Sequence, residues 1–156
     1  MKYDDASWHF QGNQGIFPAG LHPDHGATPI GMFLGWAIVR DLVGDLHCLD
    51  EERAFDLDRV KNRHLRPRDF LLNWSDGMLT TEDLSPEGNA FAKAYYRDLY
   101  LADWDGLFPD RYRIDDTWEN FDRVVAILDW RFDSWREGSL EQQVGEVLEE
   151  LAARER

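Results

Sequence analysis

The chain is short of the features that most readily reveal a function. It has one cysteine, Cys48, so an internal disulfide is excluded. Its longest uncharged apolar stretch, Ile30 to Val39, is about half of what crosses a bilayer. Met1 is followed by Lys2, Asp4 and Asp5 in place of an apolar leader, so the expected address is the cytoplasm. Basic side chains are scarce as well: 17 Lys and Arg stand against 31 Asp and Glu, a formal net charge of −14. That charge repels phosphate backbones and anionic lipid heads, which argues against nucleic acid or membrane as the primary partner. No cofactor fingerprint, internal repeat or linker is present, and one domain spanning residues 1–156 is expected.

What the chain has in quantity is aromatic surface. Seven Trp, five Tyr and nine Phe lie among 156 residues. Each removes about 150–250 Å² from water when buried, so the acidic surface surrounds a folded core and needs no metal or disulfide staple.

Hydrophobic period and capping residues predict an all-α, multi-helix bundle behind an irregular aromatic N-terminal segment. Residues 1–27 mix Gly, Pro and aromatics without helical period. Thr28 and Pro29 then read as an N-cap and first-turn proline opening a helix that is apolar on nearly all sides through Val43. Within it, Gly31 and Gly35 sit four apart and suit close helix packing. Asp50 to Glu52 open the next helix, and Arg59, Lys61 and Arg63 close it. Pro67 starts a shorter helix through Trp74, stopped by Asp76 and Gly77. Ser85 and Pro86 launch a helix running to Gly106. Asp115 and Asp116 precede the strongest periodic signal, Trp118, Phe121, Val125, Leu128, Phe132 and Trp135. Gly138 ends that helix, and Ser139 with Gln142 fits the capping box of a last one carrying Leu140, Val144, Val147, Leu148 and Leu151. Short hairpins around Phe10–Phe17 or Tyr112–Ile114 are weakly signalled.

Candidate chemistry is sparse. His9, His22, Asp24 and His25 offer metal-ligand types in one irregular segment, but no spacing matches a zinc signature and Pro23 prevents a shared helical face. Solvated loop histidines explain them more simply. Asp103, Asp105 and Gly106 resemble a fragment of a calcium loop that lacks its third early ligand and its closing Glu. Cys48 beside His47 has no identifiable orienting partner for a thiolate, and a buried or inert thiol is the plainer reading. The basic set Lys61, Arg63, His64, Arg66 and Arg68 reads as a helix C-terminal charge cluster with local acidic partners. Tyr95, Tyr96, Tyr100 and Trp104 share helical spacing and suit the core or a protein contact rather than nucleic acid.

The opening Lys2-Tyr3-Asp4-Asp5-Ala6-Ser7-Trp8-His9, the helix segment Gly31-Met32-Phe33-Leu34-Gly35-Trp36, the stretch Asn89-Ala90-Phe91-Ala92 with Tyr95-Tyr96, and Asp116-Thr117-Trp118-Glu119-Asn120-Phe121 together form a distinctive set. As a set they resemble an uncharacterised family of bacterial domains of unknown function. The resemblance spans nearly the whole chain and brings no activity or functional residue with it. In size, acidity and lack of a catalytic signature, the chain is similar in character to immunity proteins encoded beside bacterial toxins.

These observations lead to an acidic cytoplasmic protein-binding domain, not an enzyme, that covers the basic active site of a toxin such as a nuclease. Its expected contact residues are Asp103, Trp104, Asp105, Asp115 and Asp116. The alternatives are a small metal-dependent hydrolase using His9, His22, Asp24 and His25, and a regulatory or structural subunit without a toxin. Oligomeric state is not legible.

Overall fold

A helix that is apolar on every side has nowhere to lie but inside. In the computed structural model, which describes residues 1–12 and 16–156, helix α2 (Thr28–Val39) is buried from Thr28 to Ile38. Before it come strand β1 (Lys2–Asp5), helix α1 (Ala6–Phe10) and a 3₁₀ turn (Pro23–Ala27). After it follow α3 (Glu51–Lys61), α4 (Pro67–Ser75), strand β2 (Met78–Thr80), α5 (Pro86–Tyr95), α6 (Leu101–Leu107), α7 (Trp118–Arg136) and α8 (Leu140–Arg154). Helices α3, α4 and α7, the 3₁₀ turn before α2 and strand β2 pack around the central helix. The fold is mainly helical, as the periodicity predicts, and one hydrophobic cluster runs from Ala6 to Leu140. No described helix is long and apolar enough to cross a membrane.

Local chemistry explains most of the boundaries. Asp50 caps α3 by accepting from the Glu52 and Arg53 amides. Ser85 caps α5 through the Gly88 amide, with Pro86 in the first turn. Asp76 (φ 51°) and Gly77 (φ 76°) take the left-handed conformation that ends α4. Helix α7 lays Phe121, Val124, Leu128 and Phe132 into the core, and the Trp36 indole donates to Asp129 on its flank at 2.9 Å.

Several expectations are corrected. Thr28 is not a cap: it lies inside α2, and its hydroxyl accepts from Arg68 at 3.2 Å. Helix α2 stops at Val39, because Asp41 turns left-handed (φ 55°) and the Leu42 amide folds back onto the Ala37 carbonyl. The N-terminal segment is more regular than its composition suggests. Strand β1 pairs antiparallel with β2, Asp5 opposite Met78 and Lys2 opposite Thr80, with an irregularity between Lys2 and Asp4. The single helix predicted from Ser85 to Gly106 is interrupted by a π-helical turn at Tyr96–Tyr100. Thr117, which sequence reasoning did not single out, caps α7 through the Asn120 amide. The capping box of α8 does not form, since Ser139 makes no side-chain cap and Gln142 bonds Glu146 instead. Tyr112–Ile114 forms no strand, and the Phe10–Phe17 hairpin includes residues 13–15, which lie outside the described residues.

Gly31 and Gly35 explain how α4 reaches α2. A Cβ on Gly31 would lie 2.7 Å from the Arg68 Cα, and one on Gly35 would lie 2.5 Å from the Pro67 Cγ. Gly145 in α8 has nothing within 4 Å of that position. Alanine therefore has opposite effects at the two kinds of site. Gly35→Ala is expected to lose roughly 1–2 kcal/mol, because overpacking outweighs the gain in helix propensity. Gly145→Ala is expected to gain up to about 1 kcal/mol. Urea unfolding of the two variants checks both signs.

Candidate functional site

Three buried polar clusters and one exposed acidic face carry most of the non-apolar chemistry. In the first cluster, Asp4 on β1 is buried and accepts from three directions. The Tyr96 hydroxyl donates at 2.6 Å, the Asp5 amide at 2.8 Å, and His9 Nε2 lies at 2.9 Å. His9 Nδ1 is 2.7 Å from the Tyr112 hydroxyl, so both ring nitrogens are engaged. Burial, and then the Asp4 charge, raise the Tyr96 hydroxyl well above its ordinary pKa, which keeps it a donor. The cluster fastens the N-terminal strand to Tyr96, just past the end of α5, and to the loop before α7.

This geometry leaves the metal-ligand set dispersed. His9 is committed to Asp4 and Tyr112, His25 Nδ1 contacts the Tyr112 carbonyl at 2.7 Å, and His22 lies exposed beside Asp24 at 3.5 Å. Among the described residues no group of three or more His, Cys, Asp or Glu is placed to hold a metal ion. The hydrolase alternative is left without an assembled ligand set.

Of the five expected contact residues, Asp103, Trp104 and Asp116 serve the interior, while Asp105 and Asp115 are exposed. Asp103 takes a bidentate ion pair from the buried Arg131 at 2.8 and 2.9 Å, and also accepts from Tyr95 at 2.7 Å. Trp104 is buried, its indole donating to the Arg111 carbonyl. Asp105 is exposed but paired with Arg111. Asp116 is buried: burial pushes its carboxyl up, with Arg68 at 3.6 Å and Asp69 opposing one another in smaller measure. Asp115 alone is exposed without an ion-pair partner among the described residues. Tyr95, Tyr96, Tyr100 and Trp104 are all core. Lys61, Arg63 and Arg68 do find local partners, in Asp41, Asp122 and Asp116. Cys48 is exposed whereas its neighbour His47 is fully buried, so the two do not form a pair.

His47 belongs to a third cluster, under the surface that sequence reasoning missed. Arg53 Nε donates to His47 Nδ1 at 3.0 Å, which leaves the proton on Nε2, facing the Asp83 carboxylate at 3.3 Å. Asp83 also accepts from the Thr80 amide at 2.7 Å and from the Ser75 hydroxyl at 3.2 Å. Ser75 donates to the acid rather than to the imidazole. The serine–imidazole contact of a serine–histidine–acid relay is therefore not made. The work of His47, Asp83 and Ser75 is mechanical: they tie the turn after β2 to α4 and to the loop before α3.

Over this anchor lies an unbroken surface from the start of α3 across Trp74 to the turn after β2 and back to the loop before α3. Asp45, Glu51, Glu52, Asp76 and Glu82 are exposed on it, and none has an ion-pair partner among the described residues. Its one lining cation, Arg53, is held by His47 and Ser75. Amid these acids stand two apolar side chains, Leu49 at 81% and Phe55 at 66% exposure. The signal for Phe55 was in the sequence: it falls on the side of α3 away from the buried Leu57 and Val60.

A family model for a domain of unknown function, DUF7832, matches residues 2–115. The chain belongs to this family. No curated protein and no solved structure matches it. The DUF7832 segment contains the whole acidic face, together with β1 through α6. Helices α7 and α8 lie beyond it, yet Phe121, Leu128 and Leu140 complete the DUF7832 core.

Burial raises the pKa of Asp83, but the bonds from His47, the Thr80 amide and Ser75 outweigh it, and the net value lies below the ordinary carboxylate range. Its contribution is therefore complete above about pH 4 and is lost as the pH falls through the lowered folded-state pKa. Asp83→Asn is expected to lose about 1.5–3 kcal/mol at neutral pH, with the gap to wild type narrowing below about pH 4. Urea titrations at stepped pH measure it, and a gap that stays constant into strong acid contradicts the assignment.

Proposed function

We propose that this chain is a protein-binding domain that covers a basic surface on another protein. Its setting is the bacterial cytoplasm, where it acts as an immunity protein masking the basic active site of a toxin such as a nuclease. The observation that carries the reading is the face around Leu49 and Phe55, where exposed apolar side chains stand among carboxylates that no cation neutralises. Such an arrangement supports the two halves of tight association. Unpaired negative charge steers encounter with a positive cleft and is screened by salt, while a protruding aromatic supplies a desolvated anchor. No chemistry on this chain is required, and the His47–Asp83–Ser75 cluster beneath the face keeps it in shape before the partner arrives.

The test is co-expression with the product of the neighbouring gene. A co-purifying complex and restored growth are expected. Phe55→Ala is expected to weaken the complex by about 2 kcal/mol, roughly thirtyfold, chiefly by faster dissociation. Glu51→Lys with Glu52→Lys is expected to slow association and flatten its salt dependence. A complex without growth rescue points to the regulatory-subunit reading of the same face, and a complex indifferent to all three substitutions refutes the face itself.

A further inference from the structure

One groove departs from the acidic character of the rest of the molecule. It lies between the β1–α1 segment and the junction of α5 with the π turn, holds about 480 Å³, and is lined by Lys2, Tyr3, Trp8, Lys93, Tyr96 and Arg97 together with Met1 and Ala92. Its volume falls in the range of small-molecule sites, about 300–1,000 Å³. No carboxylate lines it, on a chain whose net charge is −14.

The basic residues here are treated differently from those elsewhere. Arg40, Arg63, Arg111, Arg131 and Arg136 each hold an Asp or Glu within ion-pairing distance. Lys93 and Arg97 are exposed, and neither has a carboxylate at that distance among the described residues. Lys2 is tied to Asp5 at 2.8 Å and also lies over the Trp8 ring, 5.4 Å from its centroid. The groove thus keeps two uncompensated positive charges at one rim in a protein that neutralises most others locally.

Its walls are aromatic and fixed. Trp8 is 49% exposed, and the rings of Tyr3 and Tyr96 lie 6.3 Å apart. The Tyr3 hydroxyl donates to Asn89 at 2.6 Å and that of Tyr96 to Asp4 at 2.6 Å; Tyr96 is buried and forms the groove's floor, which leaves the half-buried Tyr3 ring and the exposed Trp8 ring for a ligand. Tyr96 and Arg97 belong to the π turn, an uncommon geometry that recurs at functional sites because it re-aims side chains along a helix.

We propose that this groove binds a small organic anion with a flat apolar body, an aromatic carboxylate or a molecule of that chemistry. The body stacks against Trp8 and Tyr3, and the anionic group pairs with Lys93 and Arg97. The site is separate from the acidic face and stands whether or not that face binds a toxin.

The probe is 2-naphthoate, titrated into the full chain by calorimetry and, where Trp8 is present, also followed by its indole N–H resonance, with 2-naphthylmethanol as the neutral analogue and a tri-aspartate peptide as the acidic-peptide control. Saturable one-to-one binding of 2-naphthoate is expected, about tenfold tighter than the alcohol. Lys93→Ala with Arg97→Ala is expected to lose about tenfold while leaving the exposed-surface fold intact, and Trp8→Ala is expected to weaken acid and alcohol alike. Absence of saturation at millimolar concentration, equal affinity for acid and alcohol, indifference to the double substitution, or preference for the peptide each overturns the proposal.

Discussion

The constraint on which the rest depends is that α2 has no polar side to give to solvent. Several elements are recruited to cover it: α4 closely enough to need Gly31 and Gly35, α7 through Phe121 and Phe132, and α5 through Phe91, whose ring packs among Phe33, Trp36 and Phe132. Covering a central helix on all sides draws side chains with polar ends into the interior. Their hydroxyls, imidazoles and guanidinium groups then need partners away from water. The buried clusters are the answer to that demand. Asp4 serves Tyr96 and His9, Asp103 serves Tyr95 and Arg131, and Asp83 serves His47 and Ser75.

Those clusters also decide how the surface looks. Acids taken inward or matched with the few cations cease to contribute to the external field, so a formal charge of −14 is not spread evenly. The α3 face keeps its charge because Arg53, the one cation lining it, is turned to His47 and Ser75. The groove by Trp8 keeps the opposite sign because no acid lines it. Two surfaces of contrary character therefore arise from where opposite charges are left unmatched. Each sits within the segment shared with the family or at its very edge.

Much of the architecture was legible in the residues, and the reasons are local. Asp50, Ser85 with Pro86, and Asp76 with Gly77 act through bonds within a few positions, so their pattern is enough. The three- and four-residue spacing of α7 survives because its periodic face is the one that is buried. What escaped depends on distant partners. Strand β1 reads Lys-Tyr-Asp-Asp, without a strand-forming run, and exists because β2 and Tyr96 accept it from 70 or more positions away. The π turn leaves no mark in composition. Of the expected contact residues, Asp103, Trp104 and Asp116 looked like surface until Arg131, Arg111 and Arg68 were brought to them by the fold. Phe55 was the recoverable omission, since its position opposite Leu57 on α3 marks it as outward.

The central claim is that the unneutralised acids and the protruding Leu49 and Phe55 form the surface that meets a basic partner. Hydrogen exchange of the chain, alone and with the product of the neighbouring gene, tests it most directly. The account predicts new protection confined to residues 45–56 and 74–82, fading as salt is raised. Protection centred on α8, or none at all in a complex that nonetheless forms, would contradict it.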